Sequence, residues 1–153
     1  MCRIEFRHKG LDRVLRALNK LHEEGYSFDW HVIGEGSDKD AMMSMIKELN
    51  LERYVHLYGS KANPLPLVKQ FDCFLLPSHY EGKPMAVTEA QMLGIPVIAT
   101  RYASAGEQIL SGENGYIMEN SEEGILNGIR LILSDVTCIE RWKSKLQNMT
   151  WDN

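Results

Sequence analysis

Two glutamates beside a predicted helix start are the residues of this sequence whose types and spacing best fit chemistry. Glu81 lies in a loop after an apolar run, and Glu89 follows eight positions later in a helix that opens at or just before Pro84. The first N–H groups of a helix have no intrahelical partner and attract anions. Acids beside such a site are suited to accept hydroxyl groups, so the stretch predicts a ligand with both groups, such as a sugar nucleotide.

A second candidate group is basic and lies near the start of the chain. Arg3 and Lys9 are six positions apart, and Gly10 opens the helix that follows them. A guanidinium offers a fork to phosphate oxygens and an ammonium offers a point charge, so the pair suits a diphosphate. Arg7 and His8 lie next to this pair and are alternative phosphate partners. A local anion site or a solvated helix face would account for three further basic residues, Arg13, Arg16 and Lys20.

The turn at Gly34-Glu35-Gly36 resembles part of a dinucleotide fingerprint, but Lys39 stands where the third glycine belongs. It fits a nucleotide contact and a plain strand-to-helix turn about equally well. No phosphate-binding P-loop motif and no Gly-x-Ser-x-Gly elbow occurs, so Ser78 has no obvious activating partner.

Bulk properties exclude several classes of function. A formal net charge of -4 gives no general attraction to nucleic acid. The five histidines and three cysteines lack metal-ligand spacing, so no metal is expected, and the odd cysteine count favours a reducing compartment. No apolar run has the length of a membrane span. A cytoplasmic protein is therefore expected, with peripheral attachment to the inner face of a membrane left open.

The elements that position these residues alternate between short apolar strands and amphipathic helices. Because parallel strands need crossover helices, the alternation predicts an α/β fold, a doubly wound parallel sheet with helices on both faces and ligands at the carboxyl ends of the strands. One domain over residues 1–153 is expected. Strands are predicted at 1–4, 28–33, 55–58, 71–76, 96–100 and 116–118; helices at 11–24, 37–49, 64–70, 84–93, 107–110, 121–133 and 137–147.

Several segments in this order resemble the C-terminal, donor-binding domain of retaining glycosyltransferases of the two-domain GT-B fold, glycosyltransferase family 4 (glycosyl transferases group 1). The resemblance covers nearly the whole chain, and the paired glutamates followed by Gly94-Ile95-Pro96-Val97-Ile98-Ala99-Thr100 are its most specific part. The other matching segments are Arg3 with Lys9-Gly10, Gly34-Glu35-Gly36, Tyr58-Gly59, Leu76-Pro77-Ser78 and Gly112-Glu113-Asn114-Gly115.

This resemblance implies a role for each candidate residue. The chain would supply the donor-binding half of a hexosyltransferase that uses a nucleotide-diphosphate sugar, with a UDP-sugar as the expected donor and no cofactor. Arg3 and Lys9 would hold and neutralise the diphosphate, Glu81 would contact the donor sugar and stabilise its reacting carbon, and Glu89 would accept the ribose hydroxyls. Further donor contacts would come from the backbone of Lys83, Pro84, Met85 and Ala86, from Gly34 and Gly36, and from Tyr58, Gly59 and Ser60 around the base.

The sequence departs from the family pattern at two places. Lys83-Pro84-Met85 replaces the usual aromatic-glycine pair, so Lys83 either contacts a phosphate or lies in solvent. The segment Ala103–Gly106 replaces a glycine pair. The chain also begins like an excised piece, which predicts an absent N-terminal domain that would bind the glycan, lipid-linked or small-molecule acceptor.

Alternatives of other classes remain open at this point. They are a non-catalytic nucleotide-sugar-binding module, a GT-B epimerase or phosphorylase, and a receiver-like signalling domain. A receiver-like domain needs an acidic cluster at the strand ends, whereas Asp72 of this sequence lies at the start of its strand.

Overall fold

The computed structural model describes residues 9–149, and the predicted strand at 1–4 lies outside them, together with Arg3. The described chain alternates between helix and strand as expected. Its elements are α1 (Leu11–Glu23), β1 (Trp30–Ile33), α2 (Lys39–Glu48), β2 (Val55–Gly59), α3 (Leu65–Val68), β3 (Phe74–Leu76), α4 (Met85–Met92), β4 (Val97–Thr100), α5 (Ala105–Gln108), β5 (Gly115–Met118), α6 (Glu122–Ser134) and α7 (Thr137–Gln147).

All strand pairs in the described part of the chain are parallel. β1 pairs with β2, and β3, β4 and β5 form a three-stranded sheet in that order. Thr100 at the end of β4 is aligned with Met118, while Leu76 at the end of β3 is aligned with Ala99. The loops that follow these strands therefore open at one edge of the sheet, where parallel sheets bind ligands.

β4 separates two apolar clusters because successive strand residues point to opposite faces. Ile98 belongs to a large cluster with residues of α1, α2, α6 and α7, whereas Val97 and Ala99 belong to a second cluster with residues of α4 and α5. All four residues of β4 are buried. Helices thus cover both faces, as predicted, and a continuous apolar strand needs this arrangement.

The helix α1 follows from its sequence pattern. Leu11, Val14, Leu15, Leu18 and Leu21 recur at helical spacing and are all buried in the large cluster. The helix packs mainly against α6, whose own apolar face includes Ile125, Ile129 and Ile132.

Several predicted boundaries are wrong by up to three residues, and two of them have a clear physical cause. The predicted strand at 71–76 begins only at Phe74, because residues 71 and 72 form a bend in which Asp72 is exposed and pairs with Lys143. The predicted helix at 107–110 instead spans Ala105–Gln108. It ends because Ile109 adopts an extended conformation and inserts its side chain into the core, at 1% exposure.

Candidate functional site

Lys9 and Glu81, which are 72 positions apart in sequence, form an ion pair at the carboxyl end of β3. The Lys9 Nζ atom donates to Glu81 Oε1 at 2.6 Å, and the two side chains are 26% and 12% exposed. The pair is thus shielded from bulk water but still reachable from it. Sequence reasoning placed both residues in one site, and the structure brings them into direct contact.

Gly10 makes this contact sterically possible. Its φ of +71° lies in the left-handed region, and a Cβ atom there would lie 2.0 Å from the carbonyl oxygen of Pro77. Only glycine permits that approach without a shift of the backbone. The start of α1 is therefore seated directly on the loop that carries Glu81.

Arg13 secures the same junction from one turn further along α1. Its guanidinium is buried at 5% exposure and donates to the carbonyl oxygen of Pro77 at 2.8 Å. Burial lowers the pKa of Arg13, with the carboxylates of Asp12 and Glu122 opposing that effect. Both sequence interpretations of Arg13, an anion site and a solvated helix face, are wrong. Arg16 does lie on the exposed face, paired with Asp12 and Glu122.

Two hydroxyl groups fix the position of Glu81, one by a direct hydrogen bond and one through the main chain of Ser78. Ser78 is fully buried, and its Oγ donates to Glu81 Oε1 at 2.9 Å. Thr100, at the end of β4, donates in turn to the carbonyl oxygen of Ser78 at 2.6 Å. One carboxylate oxygen of Glu81 thus receives both an ammonium and a hydroxyl donor. Sequence reasoning found no partner for Ser78, although its position three residues before Glu81 was the available signal.

The start of α4 is presented to solvent beside this cluster. Pro84 precedes the helix in an extended conformation, and the side chains of Lys83, Met85 and Glu89 are exposed. The Glu89 carboxylate lies in the second turn of α4 and has no hydrogen bond or ion pair with residues 9–149. Its oxygens are therefore free to accept from a ligand. The Lys83 side chain is likewise without a partner among the described residues.

The loop before α4 is fixed by donors from the segment after β4. Ser104 Oγ donates to the carbonyl oxygen of Gly82 at 2.7 Å, and Gln108 Nε2 donates to that of Pro84 at 3.1 Å. Gln108 is itself held by the hydroxyl of Tyr102 at 2.6 Å. These bonds hold the main chain of the loop in place at Gly82 and Pro84. None of these three residues was predicted to support the site.

The second group of predicted residues gathers at the carboxyl ends of β1 and β2. The N–H of Gly34 donates to the carbonyl oxygen of Gly59 at 2.8 Å, which joins the two loops. Gly59 has a φ of +72°, and a Cβ atom there would lie 2.8 Å from Glu35 Oε1. Gly36 is half-buried and Ser60 is exposed in the same two loops.

Tyr58 carries a polar contact that limits its role. Its hydroxyl lies 2.8 Å from His31 Nδ1, in a set of stacked rings that also includes His56 and Phe71. Burial and the neighbouring His56 lower the pKa of His31. The hydroxyl contacts His31, and the ring is stacked on His31 with Lys61 Nζ over it, so the main chain of Tyr58 is the part left for a ligand.

A cavity of about 530 Å³ opens between the loops after β3 and β4. It is lined by His79, Tyr80, Arg101, Tyr102, Ala103 and Gly106. His79 and Tyr80 directly precede Glu81 in the chain, so the cavity borders on the Glu81 cluster. Burial and the charge of Glu81 raise the pKa of Tyr102 to about 12. In the sequence, His79 lies two positions before Glu81, and Ala103 and Gly106 belong to the segment that replaces the family's glycine pair. No sequence signal pointed to Tyr80, Arg101 or Tyr102.

Residues 9–149 contain no candidate metal site and no candidate membrane span. No group of three or more histidine, cysteine, aspartate or glutamate side chains there could hold a metal ion. None of the described helices is long and apolar enough to cross a membrane.

Comparison with known proteins places this geometry in a family. The family model described as glycosyl transferases group 1 matches residues 3–149. A poly(ribitol-phosphate) alpha-N-acetylglucosaminyltransferase of Staphylococcus aureus is 28% identical over 92% of this chain and 29% of its own length. An uncharacterised glycosyltransferase of Methanocaldococcus jannaschii is 32% identical over 69% of this chain and 26% of its own length. The chain therefore spans less than a third of these two relatives.

Solved structures agree at the level of fold. S. aureus TarM, crystallised with fondaparinux, alpha-GlcNAc-glycerol and UDP, superposes with a TM-score of 0.85 at 26% identity, covering 95% of this chain and 30% of TarM. HepE of Anabaena, crystallised with UDP, superposes with a TM-score of 0.82 at 22% identity, covering 96% and 41% of the two chains, and supports the fold alone. This protein has the Rossmann-like fold of a GT-B domain, and it belongs to the glycosyl transferases group 1 family.

Proposed function

We propose that this chain is the donor-binding half of a retaining hexosyltransferase that uses a UDP-sugar. The observation that carries the proposal is the ion pair between Lys9 and Glu81 beside the start of α4, in which Glu81 also accepts a hydrogen bond from Ser78. The family match supports a transferase, and UDP in the TarM crystals supports the nucleotide. The acceptor would be a glycan, lipid-linked or small molecule bound mainly by an N-terminal domain, in a cytoplasmic protein that works in polysaccharide biosynthesis.

In this proposal Lys9 has two tasks. An ammonium carries three N–H donors, so Lys9 can keep its bond to Glu81 while it donates to a diphosphate oxygen. Its charge would then stabilise the negative charge that develops on the departing diphosphate, without a metal ion. Arg3 would add a second cation from the segment before the described residues.

Glu81 would lie where positive charge develops on the donor sugar. Its carboxylate is preorganised, since Ser78 fixes one oxygen and leaves the other for the sugar. Such fixed charges stabilise a transition state without reorganising when the reaction occurs. Glu89, with free carboxylate oxygens, would accept hydrogen bonds from the ribose hydroxyls, and the backbone N–H groups of Lys83, Met85 and Ala86 would face the phosphates. The main chain at Gly34, Gly36, Tyr58, Gly59 and Ser60 would surround the base.

Calorimetric titration of the chain with UDP, GDP and ADP, and then with their sugar conjugates, tests donor binding. We expect UDP to bind and Glu89→Ala to weaken binding by about tenfold, the loss of a charged hydrogen bond. Glu140→Ala removes an exposed helical glutamate on α7 and should leave the affinity unchanged. Equal affinities of the two variants would contradict the ribose role of Glu89.

The same titration tests Lys9. We expect Lys9→Met to weaken UDP binding more than it weakens uridine binding, because the removed ammonium acts on the diphosphate. Lys20→Met, on the exposed side of α1, is the matched control. No binding of any nucleotide at millimolar concentration would contradict the donor-binding proposal as a whole.

Turnover is the test of mechanism, in a protein that also carries the acceptor-binding domain. We expect Glu81→Ala to lower turnover by about 10² to 10³, as for loss of one preorganised electrostatic group. NMR of the product's anomeric centre would report retention or inversion. The isolated chain should bind nucleotide and transfer no sugar, and appreciable transfer would show that no second domain is needed.

A further inference from the structure

The cavity between the loops after β3 and β4 has the composition of a second binding site. Among residues 9–149, its lining includes one permanently charged group, Arg101, together with His79 and the ring of Tyr80, and no carboxylate. None of the described residues that were predicted to hold the nucleotide is among its lining residues. It is therefore a space beside the predicted donor site rather than a part of it.

The polar groups of this cavity are available to a ligand. The side chains of Arg101 and His79 have no hydrogen-bond or ion-pair partner among residues 9–149, and both are exposed. Tyr80 is 68% exposed, so its ring is open to contact with a ligand. A guanidinium binds planar or tetrahedral anions bidentately, and an exposed aromatic ring offers a flat apolar surface.

The walls of the cavity are tied together, so its shape does not depend on a ligand. Asn120 Nδ2 donates to the carbonyl oxygen of His79 at 2.8 Å and to that of Arg101 at 3.4 Å. The segment after β4 is also joined to the loop before α4, because Ser104 donates a hydrogen bond to the carbonyl oxygen of Gly82. Because Asn120 binds the main chain of Arg101, the guanidinium itself takes no part in these ties. A preformed cavity lowers the ordering cost of binding.

We propose that this cavity binds a sugar carrying an acidic group, a phosphate or a carboxylate, as part of the acceptor. Arg101 and His79 would take the anion, and Tyr80 would pack against the sugar ring. The term acceptor rests on the proposed transferase function, while anionic-sugar binding at this cavity does not. The position next to Glu81 would bring the acceptor to the donor sugar, with any remaining acceptor contacts coming from another domain.

Amide chemical shifts of the chain, measured by NMR, test the proposal with glucose 6-phosphate, glucose and inorganic phosphate as probes, each in saturating UDP. We expect glucose 6-phosphate to shift the amides of Tyr102, Ala103 and Gly106, and to do so more strongly than glucose. Arg101→Gln should weaken that binding by about tenfold and leave UDP affinity unchanged. Arg53→Gln, which alters an exposed arginine remote from the cavity in sequence, is the matched control.

A second variant separates the two halves of the proposed ligand. Tyr80→Ala should weaken glucose 6-phosphate binding and leave inorganic phosphate binding unchanged, because the ring contacts the sugar. Both substituted side chains are exposed, so amide dispersion should stay native.

Three results of these titrations would contradict the anionic-sugar proposal. Absence of shifts at the cavity, shifts equal to those with glucose, or binding that UDP abolishes would each overturn the proposal. If UDP fails to bind while glucose 6-phosphate still shifts the cavity, the donor-binding proposal fails and the anionic-sugar site stands.

Discussion

At the scale of single residues, Gly10 decides whether Lys9 can reach Glu81. We predict that Gly10→Ala destabilises the chain by at least about 2 kcal/mol more than Gly25→Ala, measured by urea unfolding. Both glycines have positive φ, but only at Gly10 would the new Cβ atom meet the Pro77 carbonyl; nothing lies within 4 Å at Gly25. Equal losses would show that strain at positive φ alone accounts for the effect.

The titration of Tyr102 should change the free energy of unfolding at alkaline pH. Its folded pKa of about 12 lies above the ordinary value of 10.0, so between these values the unfolded chain releases the proton while the folded chain keeps it. Stability present below pH 10 is therefore lost as the pH rises towards 12, by up to about 3 kcal/mol. We predict a shallower alkaline decline for Tyr102→Phe in urea unfolding.

The exposed Tyr80 provides the control for that prediction. Tyr80→Phe should keep the full decline, because its hydroxyl is not buried. The half-buried Cys73 thiol, whose pKa desolvation also raises to about 12, adds a decline that both variants retain. Identical pH profiles for the two variants would contradict the role of Tyr102.

At the scale of elements, α6 begins with a side-chain cap. Ser121 Oγ accepts from the N–H of Gly124 at 2.9 Å, as expected of a serine before an acidic first turn. We predict that Ser121→Ala costs about 1 kcal/mol in thermal or urea unfolding. Ser44→Ala, on the exposed middle of α2, should be neutral or stabilising because alanine favours a helix. A similar loss in both variants would argue against the cap.

The element scale also shows where sequence reasoning succeeds and fails. Periodicity predicted α1 and α6 well, because each buries one apolar stripe against the other. It misplaced α5, whose end depends on Ile109 entering the core, a contact that no local pattern encodes. Periodicity also gave the wrong surroundings for Arg13, because the local sequence does not show that this arginine donates to a carbonyl oxygen far away in the chain.

At the scale of the whole molecule, β4 ties the two core clusters into one unit. Ile98 packs into one cluster while Val97 and Ala99 pack into the other, so neither cluster can be lost alone without exposing β4. We predict one cooperative urea transition, with tryptophan fluorescence and far-ultraviolet circular dichroism coinciding. Trp142 reports on the large cluster. Separated transitions for the two signals would show that residues 1–153 do not form a single domain.

Residue types and their order sufficed to predict an α/β fold, the family resemblance and the grouping of Lys9 with Glu81. These follow from local periodicity and from a specific motif, which are properties of the chain itself. Only the tertiary structure placed Ser78 under Glu81, buried Arg13 and built the cavity around Arg101. Those features join residues from separate loops, and their contacts depend on how the strand ends converge, which no single segment of sequence specifies.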